Sequence, residues 1–322
     1  MDIDRQYRLC GMIPAVMERG GLSRRSLLGM MAALPLQGAG GMLIDTHVHL
    51  FADDEKRFPF SSTAPYKPKP QPVEAYSAFV KQAGIAHTVI VHPEPYQDDH
   101  RYLEYCFAHE PSPGYFKGTC LFDPIAPETP ARMEALVKNN PGRIVALRIH
   151  EVRKPGEPAL ITGAIKDRDM RSPAMKQTWA KAQALGLAIQ MHFIPYYAPQ
   201  IGELARQFPA VPVVLDHLAR AGQGTPAEYE DVLKLAKLPK VFMKYSGVNY
   251  SSKEKYPFRD AQPIVRKAYD AFGPDRMVWG GLGMSMPEFR QQSDLFESMF
   301  PYASEADKAK IRGLTAKKLY GF

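Results

Sequence analysis

Met42-Leu43-Ile44-Asp45-Thr46-His47-Val48-His49-Leu50-Phe51 is an apolar run broken by two histidines two residues apart. It reads as a strand over 42–51. In extended backbone, alternate side chains share a face, so His47 and His49 project together from the end of that strand. Two neutral imidazoles on one face can grip a transition metal. Two unrelated strand-capping histidines would look the same in isolation. The rest of the chain separates the two cases, because the run opens a strand–helix alternation that repeats eight times.

Outward from this stretch, strands are expected at 42–51, 87–93, 116–123, 145–152, 188–194, 211–218, 240–248 and 276–283. Several are almost continuously apolar, as in Val211-Pro212-Val213-Val214-Leu215, which is the pattern of parallel strands covered on both faces. Helices are expected near 73–83, 100–109, 129–139, 172–185, 199–208, 226–235, 261–272 and 287–300. Ser172-Pro173 reads as an N-cap followed by proline at the first helical position. Gly84, Gly186 and Gly273 fall where helices stop. Eight βα units in about 280 residues predict an α/β chain, a single-domain (β/α)8 TIM barrel over 42–322. The rival, a doubly wound open sheet, would place G-x-G-x-x-G after its first strand, and none is present. The proline-rich stretch 58–72 is expected as a long first βα loop, and 305–319 as a last helix closing the barrel bottom or edge.

The chain has 322 residues and a net charge of +7. Residues 1–41 hold five arginines and three acids, so the barrel carries an excess of +5, spread without a long basic run. That balance suits a small anionic substrate, and no nucleic-acid-binding motif accompanies it. The cysteines are Cys10, Cys106 and Cys120, none in a CxxC, which argues against a disulfide framework or a zinc-thiolate site. Ser23-Arg24-Arg25-Ser26-Leu27-Leu28, followed by an apolar stretch over 29–36, reads as a twin-arginine (Tat) export signal within 1–41. The expected destination is the periplasm; the alternative is a cytoplasmic enzyme with an irregular leader. Translation from Met17 would give a more ordinary signal. The apolar stretch is too short to be an integral membrane span.

In such barrels the active site lies at the C-terminal ends of the strands. Those ends offer His47 and His49, then His92 and Glu94, then Asp123. Arg148 and His150 alternate and face one way, as do Gln190 and His192. Asp216 and His217 are adjacent and are expected to face opposite ways. Lys244 and Ser246 follow, and the eighth strand, Trp279 to Leu282, has no acid. An unpaired buried cation is costly, so Arg148 and Lys244 are expected to bind an anion, a substrate carboxylate. His92, His150 and Ser246 are the further substrate-binding candidates.

Asp45-Thr-His47-Val-His49-Leu-Phe51, Val214-Leu215-Asp216-His217-Leu218, Lys244-Tyr-Ser246-Gly247 and the closing Leu319-Tyr320-Gly321 together resemble the amidohydrolase-related branch of the amidohydrolase superfamily, over residues 43 to 322. The likeness is to its lactonase-like members, which include pyrone-dicarboxylate lactonase. The resemblance implies a (β/α)8 barrel that hydrolyses lactones, esters or amides of small carboxylated compounds. His47 and His49 match the paired first-strand ligands, His192 the fifth-strand histidine and His217 the sixth. It therefore implies a divalent ion, Zn²⁺ or Mn²⁺, on His47, His49 and His192, with His192 and His217 as catalytic groups. Some lactonase-like members work without metal. The family's strand-eight motif, Trp-Gly-Ser-Asp, ends in an aspartate that acts as ligand and general base. This chain reads Trp279-Gly280-Gly281-Leu282, and leucine does neither. Three readings follow: a hydrolase whose base is His192, His217 or Glu94; a non-oxidative decarboxylase; or an inactive barrel that binds a small anion.

Overall fold

The computed structural model describes residues 41–157 and 168–322, so the twin-arginine segment lies outside the described residues. The strands are β1 (Ile44–Val48), β2 (His87–Val91), β3 (Phe116–Leu121), β4 (Ile144–Glu151), β5 (Ala188–Phe193), β6 (Val213–Leu215), β7 (Val241–Tyr245) and β8 (Met277–Trp279). They form one parallel sheet in the order of the sequence, with helices between successive strands. This is the expected (β/α)8 architecture. No helix among the described residues is long and apolar enough to cross a membrane.

Backbone ladders join β1 through β8, and side chains bridge the seam between β8 and β1. Thr46 Oγ1 donates to the Trp279 carbonyl at 2.9 Å. The buried Asp45 carboxylate accepts from the N–H groups of Gly281 at 2.9 Å and Leu282 at 3.2 Å. Gly280 allows this approach, since a Cβ there would lie 2.7 Å from the His47 Cβ. The seam shortens β8 relative to the expected 276–283: the Gly280 N–H still donates to the Tyr245 carbonyl of β7 at 3.2 Å, but those of Gly281 and Leu282 bond to a side chain rather than to a neighbouring strand.

The barrel interior is layered. At the bottom Ile44, Val89, Ala146, Ala188, Val214 and Val278 pack with Ala316 and Tyr320. The terminal segment thus closes the bottom, as its apolar residues predict. It does so as Glu305–Ala309 and Thr315–Tyr320 joined by a π-helical turn, Lys310–Leu314, instead of one helix. In that turn Gly313 abuts the Met42 carbonyl so closely that a side chain would collide. Above the floor, strand parity sets the order. Ala146, Arg148 and His150 on β4 stand opposite Ala188, Gln190 and His192 on β5. A register shift in β1 between Asp45 and Val48 inserts one residue, so Ile44 and His47 both face inward despite their odd spacing.

Candidate active site

The middle layer is built around Asp216, which is fully buried. Its carboxylate accepts from Arg148 Nε at 3.1 Å and Gln190 Nε2 at 3.0 Å, and Lys244 Nζ lies 3.1 Å away. Lys244 also donates to the Thr46 carbonyl at 3.0 Å. Burial pushes the Asp216 pKa up, but Lys244 and Arg148 outweigh it and hold the group well below the ordinary carboxylate range. The layer therefore holds two cations and one anion in a space closed to water.

Five imidazoles form an arc above it. Ring centroids run His49 to His47 at 5.0 Å, His47 to His217 at 4.6 Å, His217 to His192 at 5.2 Å and His192 to His150 at 4.9 Å. His49 Nδ1 lies 2.7 Å from the Val91 carbonyl, so it carries the proton and leaves Nε2 as a lone pair. That Nε2 is 3.3 Å from Nε2 of His47. Two nitrogens bound tetrahedrally at about 2.0–2.1 Å from one zinc ion are about 3.3–3.4 Å apart, so this pair fits a shared ion. His47, Asp216 and His217 each bring a ligand atom within 4.8 Å of the others. Burial, then repulsion from His217, Lys244 and Arg148, lowers the His47 pKa well below the usual value. Burial and Arg148 push His49 down to about 3. Both imidazoles stay neutral at pH 7, the form that binds metal.

His217 reaches the arc through unusual backbone. β6 ends at Leu215, and His217, Leu218, Ala219 and Arg220 all adopt left-handed conformations with φ between 50° and 56°. Each such residue costs about 1–2 kcal/mol. The turn swings His217 onto the same side as Asp216, where its Nδ1 lies 2.9 Å from Ser246 Oγ. Three residues on, Arg220 comes back over the site. Its Nη1 is 2.6 Å from His192 Nε2, its Nε donates to Gln223 at 2.7 Å, and its guanidinium lies 4.0 Å from the Tyr250 ring centre.

The Amidohydrolase family model matches residues 44–322. The chain belongs to the amidohydrolase family. Among characterised relatives, it is 26% identical over 240 residues to the 4-sulfomuconolactone hydrolase of Hydrogenophaga intermedia, covering 73% of this chain and 72% of that one. It is 25% identical over 214 residues to the L-fucono-1,5-lactonase of Burkholderia ambifaria, covering 66% and 68%. A solved Pseudomonas putida structure, a candidate 2-pyrone-4,6-dicarboxylic acid hydrolase, superposes with a TM-score of 0.70 at 19% identity, over 88% of this chain and 98% of that one. Family and relatives together make this chain a hydrolase of the lactonase-like type.

In this amidohydrolase the structure brings His47, His49, His150, His192 and His217 together, with Ser246 against His217. Four expectations change. Asp216 and His217 do not face opposite ways, because the left-handed turn replaces strand geometry at His217. Arg148 and Lys244 are not unpaired cations awaiting a substrate, because Asp216 is their partner. His192 does not offer Nε2 to a cation, because a guanidinium stands at its lone pair. His92 falls outside the arc. It shares parity with Thr88 and Ile90 while Val89 faces the interior, so its ring points outward, stacks on His100 at 4.3 Å and bonds the Gln97 carbonyl at 3.0 Å. Leu282 is fully buried in the core. Sequence patterning does not mark Arg220; the one signal is its place three residues after His217, which aligns the two in a helical turn of either hand and not in a strand.

Proposed function

We propose that this amidohydrolase opens the ring ester of a small anionic lactone, using a divalent ion, zinc or manganese, held by His47, His49 and His217. The observation that carries this reading is the His47–His49 pair, whose Nε2 atoms are 3.3 Å apart, buried and neutral. A bound ion supplies Lewis acidity, polarising the scissile carbonyl and acidifying water. The chain's own residues do the rest. The Val91 carbonyl fixes the His49 tautomer, and Ser246 orients His217. Arg220, restrained by Gln223 and Tyr250, fixes a positive charge beside the arc. With the excess cation of the Arg148–Lys244–Asp216 layer beneath it, this charge favours an anionic substrate. Lactones are the substrates named for the two relatives.

The test measures zinc and manganese in protein purified without chelator, and ring opening of dihydrocoumarin and 2-pyrone-4,6-dicarboxylate. Stoichiometric metal is expected in the wild type and none in the folded His47→Ala/His49→Ala double variant, with loss of turnover. Metal-free protein that gains no activity from either ion overturns the metal assignment. Carbon dioxide release from an aromatic carboxylate, without ring opening, replaces hydrolysis by decarboxylation.

A further inference from the structure

Hydrolysis needs a group that takes a proton from water and returns one to the leaving oxygen. Most candidates in this site are committed elsewhere. Asp45 accepts from three backbone N–H groups and Tyr76. Asp216 is held between Lys244 and Arg148. His192 Nε2 faces Arg220, His217 Nδ1 faces Ser246, and the Nε2 atoms of His47 and His49 face each other. Leu282 has no titratable group.

One pair is left. Glu94 enters from the loop after β2, and its Oε1 lies 2.9 Å from His150 Nδ1. Both are buried, His150 at 1% exposure and Glu94 at 6%. The carboxylate fixes the tautomer with the proton on Nδ1, which leaves Nε2 as a lone pair on the opposite edge of the ring. That nitrogen is buried and has no hydrogen-bond partner among the described residues. His150 shares inward parity with Arg148, and its ring meets His192 edge-on at the end of the arc. An oriented acceptor without a donor, at the end of the imidazole arc, has the geometry of a general base with its orienting carboxylate.

We propose that the Glu94–His150 pair is the proton relay of this site, with His150 Nε2 as the acceptor and Glu94 as its positioning residue. The proposal rests on the lactone-hydrolase reading. Water oxygen forms a bond to the lactone carbonyl carbon while one water proton passes to His150 Nε2. The ring C–O bond then breaks, and that proton passes from Nε2 to the departing alkoxide. The products are a hydroxy acid and neutral His150. Glu94 accepts from Nδ1–H throughout. Burial, outweighing the Glu94 charge, keeps the His150 pKa below its ordinary value, so the ring starts unprotonated at pH 7.

The experiment compares wild type, His150→Ala, His150→Gln and Glu94→Gln as full-length protein, with 2-pyrone-4,6-dicarboxylate and dihydrocoumarin as probes and far-UV circular dichroism and metal content as controls. The expected result is a fall in kcat of about 10²–10⁴-fold for both His150 variants with KM changed less than about threefold. Added imidazole restores activity to His150→Ala, whose cavity accepts the ring, and not to His150→Gln. Glu94→Gln lowers kcat by about tenfold or more, in the same direction, because the orienting charge is gone. A wild-type enzyme that opens no lactone overturns the lactone reading and the relay with it. An active wild type whose folded His150→Ala variant keeps its kcat overturns the relay alone. So does a loss confined to KM, or one that imidazole does not recover.

Discussion

At the scale of single residues, histidine carries most of the chemistry, and burial decides what each one does. His92 and His100 stack outside the site. Burial pushes His92 down to about 4, and burial with repulsion from His92 takes His100 well below its usual value. The unfolded chain binds protons at both near pH 6.5, while the folded chain keeps them neutral. For His92 the resulting stability is full above about pH 6.5 and is lost as pH falls from there towards about 4, at about 1.4 kcal/mol per pH unit inside that window. His100 acts in the same direction. Urea midpoints are expected to hold between pH 8 and 7 and to drop by pH 5. In His92→Leu the slope between pH 6 and 5 is expected to shrink by about 1.4 kcal/mol per unit; an unchanged slope would show that His92 does not titrate as described.

At the scale of elements, the left-handed turn His217–Arg220 stands out, because four non-glycine residues hold a conformation that local sterics oppose. The surroundings that hold it are specific. Gly247 has φ 53°, and a Cβ on it would come within 2.7 Å of His217 Nδ1 and 2.8 Å of the Tyr250 ring. Gly247→Ala is thus expected to lower stability by about 1–2 kcal/mol from backbone strain. It is also expected to cut kcat on dihydrocoumarin at least tenfold by displacing His217. Equilibrium unfolding and steady-state kinetics check the two effects separately. Full turnover in the folded variant would show that the position of His217 does not matter to the reaction.

At the scale of the whole molecule, the barrel is a packed cylinder closed at two places by side chains. Asp45 and Thr46 close the wall between β8 and β1. Tyr320 and Ala316 close the floor against one apolar residue from each of six strands. Removing the Tyr320 ring leaves a cavity below the charged layer. Tyr320→Ala is expected to destabilise the fold by about 3–5 kcal/mol, as large-to-small aromatic changes in cores do. Denaturant titration measures it. A loss below about 1 kcal/mol would show that the terminal segment covers the floor without supporting it.

How much of this was legible in the sequence follows from which interactions are local. Strand and helix alternation is written in periods of two and 3.6, so β4, β5 and the helices Val73–Ala83 and Thr129–Asn139 fall where the pattern puts them. The co-facial pairs His47/His49, Arg148/His150 and Gln190/His192 follow from the same parity. Nothing local distinguishes Asp216-His217-Leu218-Ala219-Arg220 from a continuing strand. Its left-handed course is imposed by packing against Ser246, Gly247 and Tyr250, more than twenty residues further along the chain. The pairing of Asp216 with Arg148 and Lys244 is equally beyond the sequence, since only barrel closure brings three strands to one point in a medium that forbids unpaired charge. The sequence by itself determined the barrel and the histidines that line its mouth. The tertiary structure decided which of them keep a free nitrogen, because that depends on the neighbours each ring meets across the barrel.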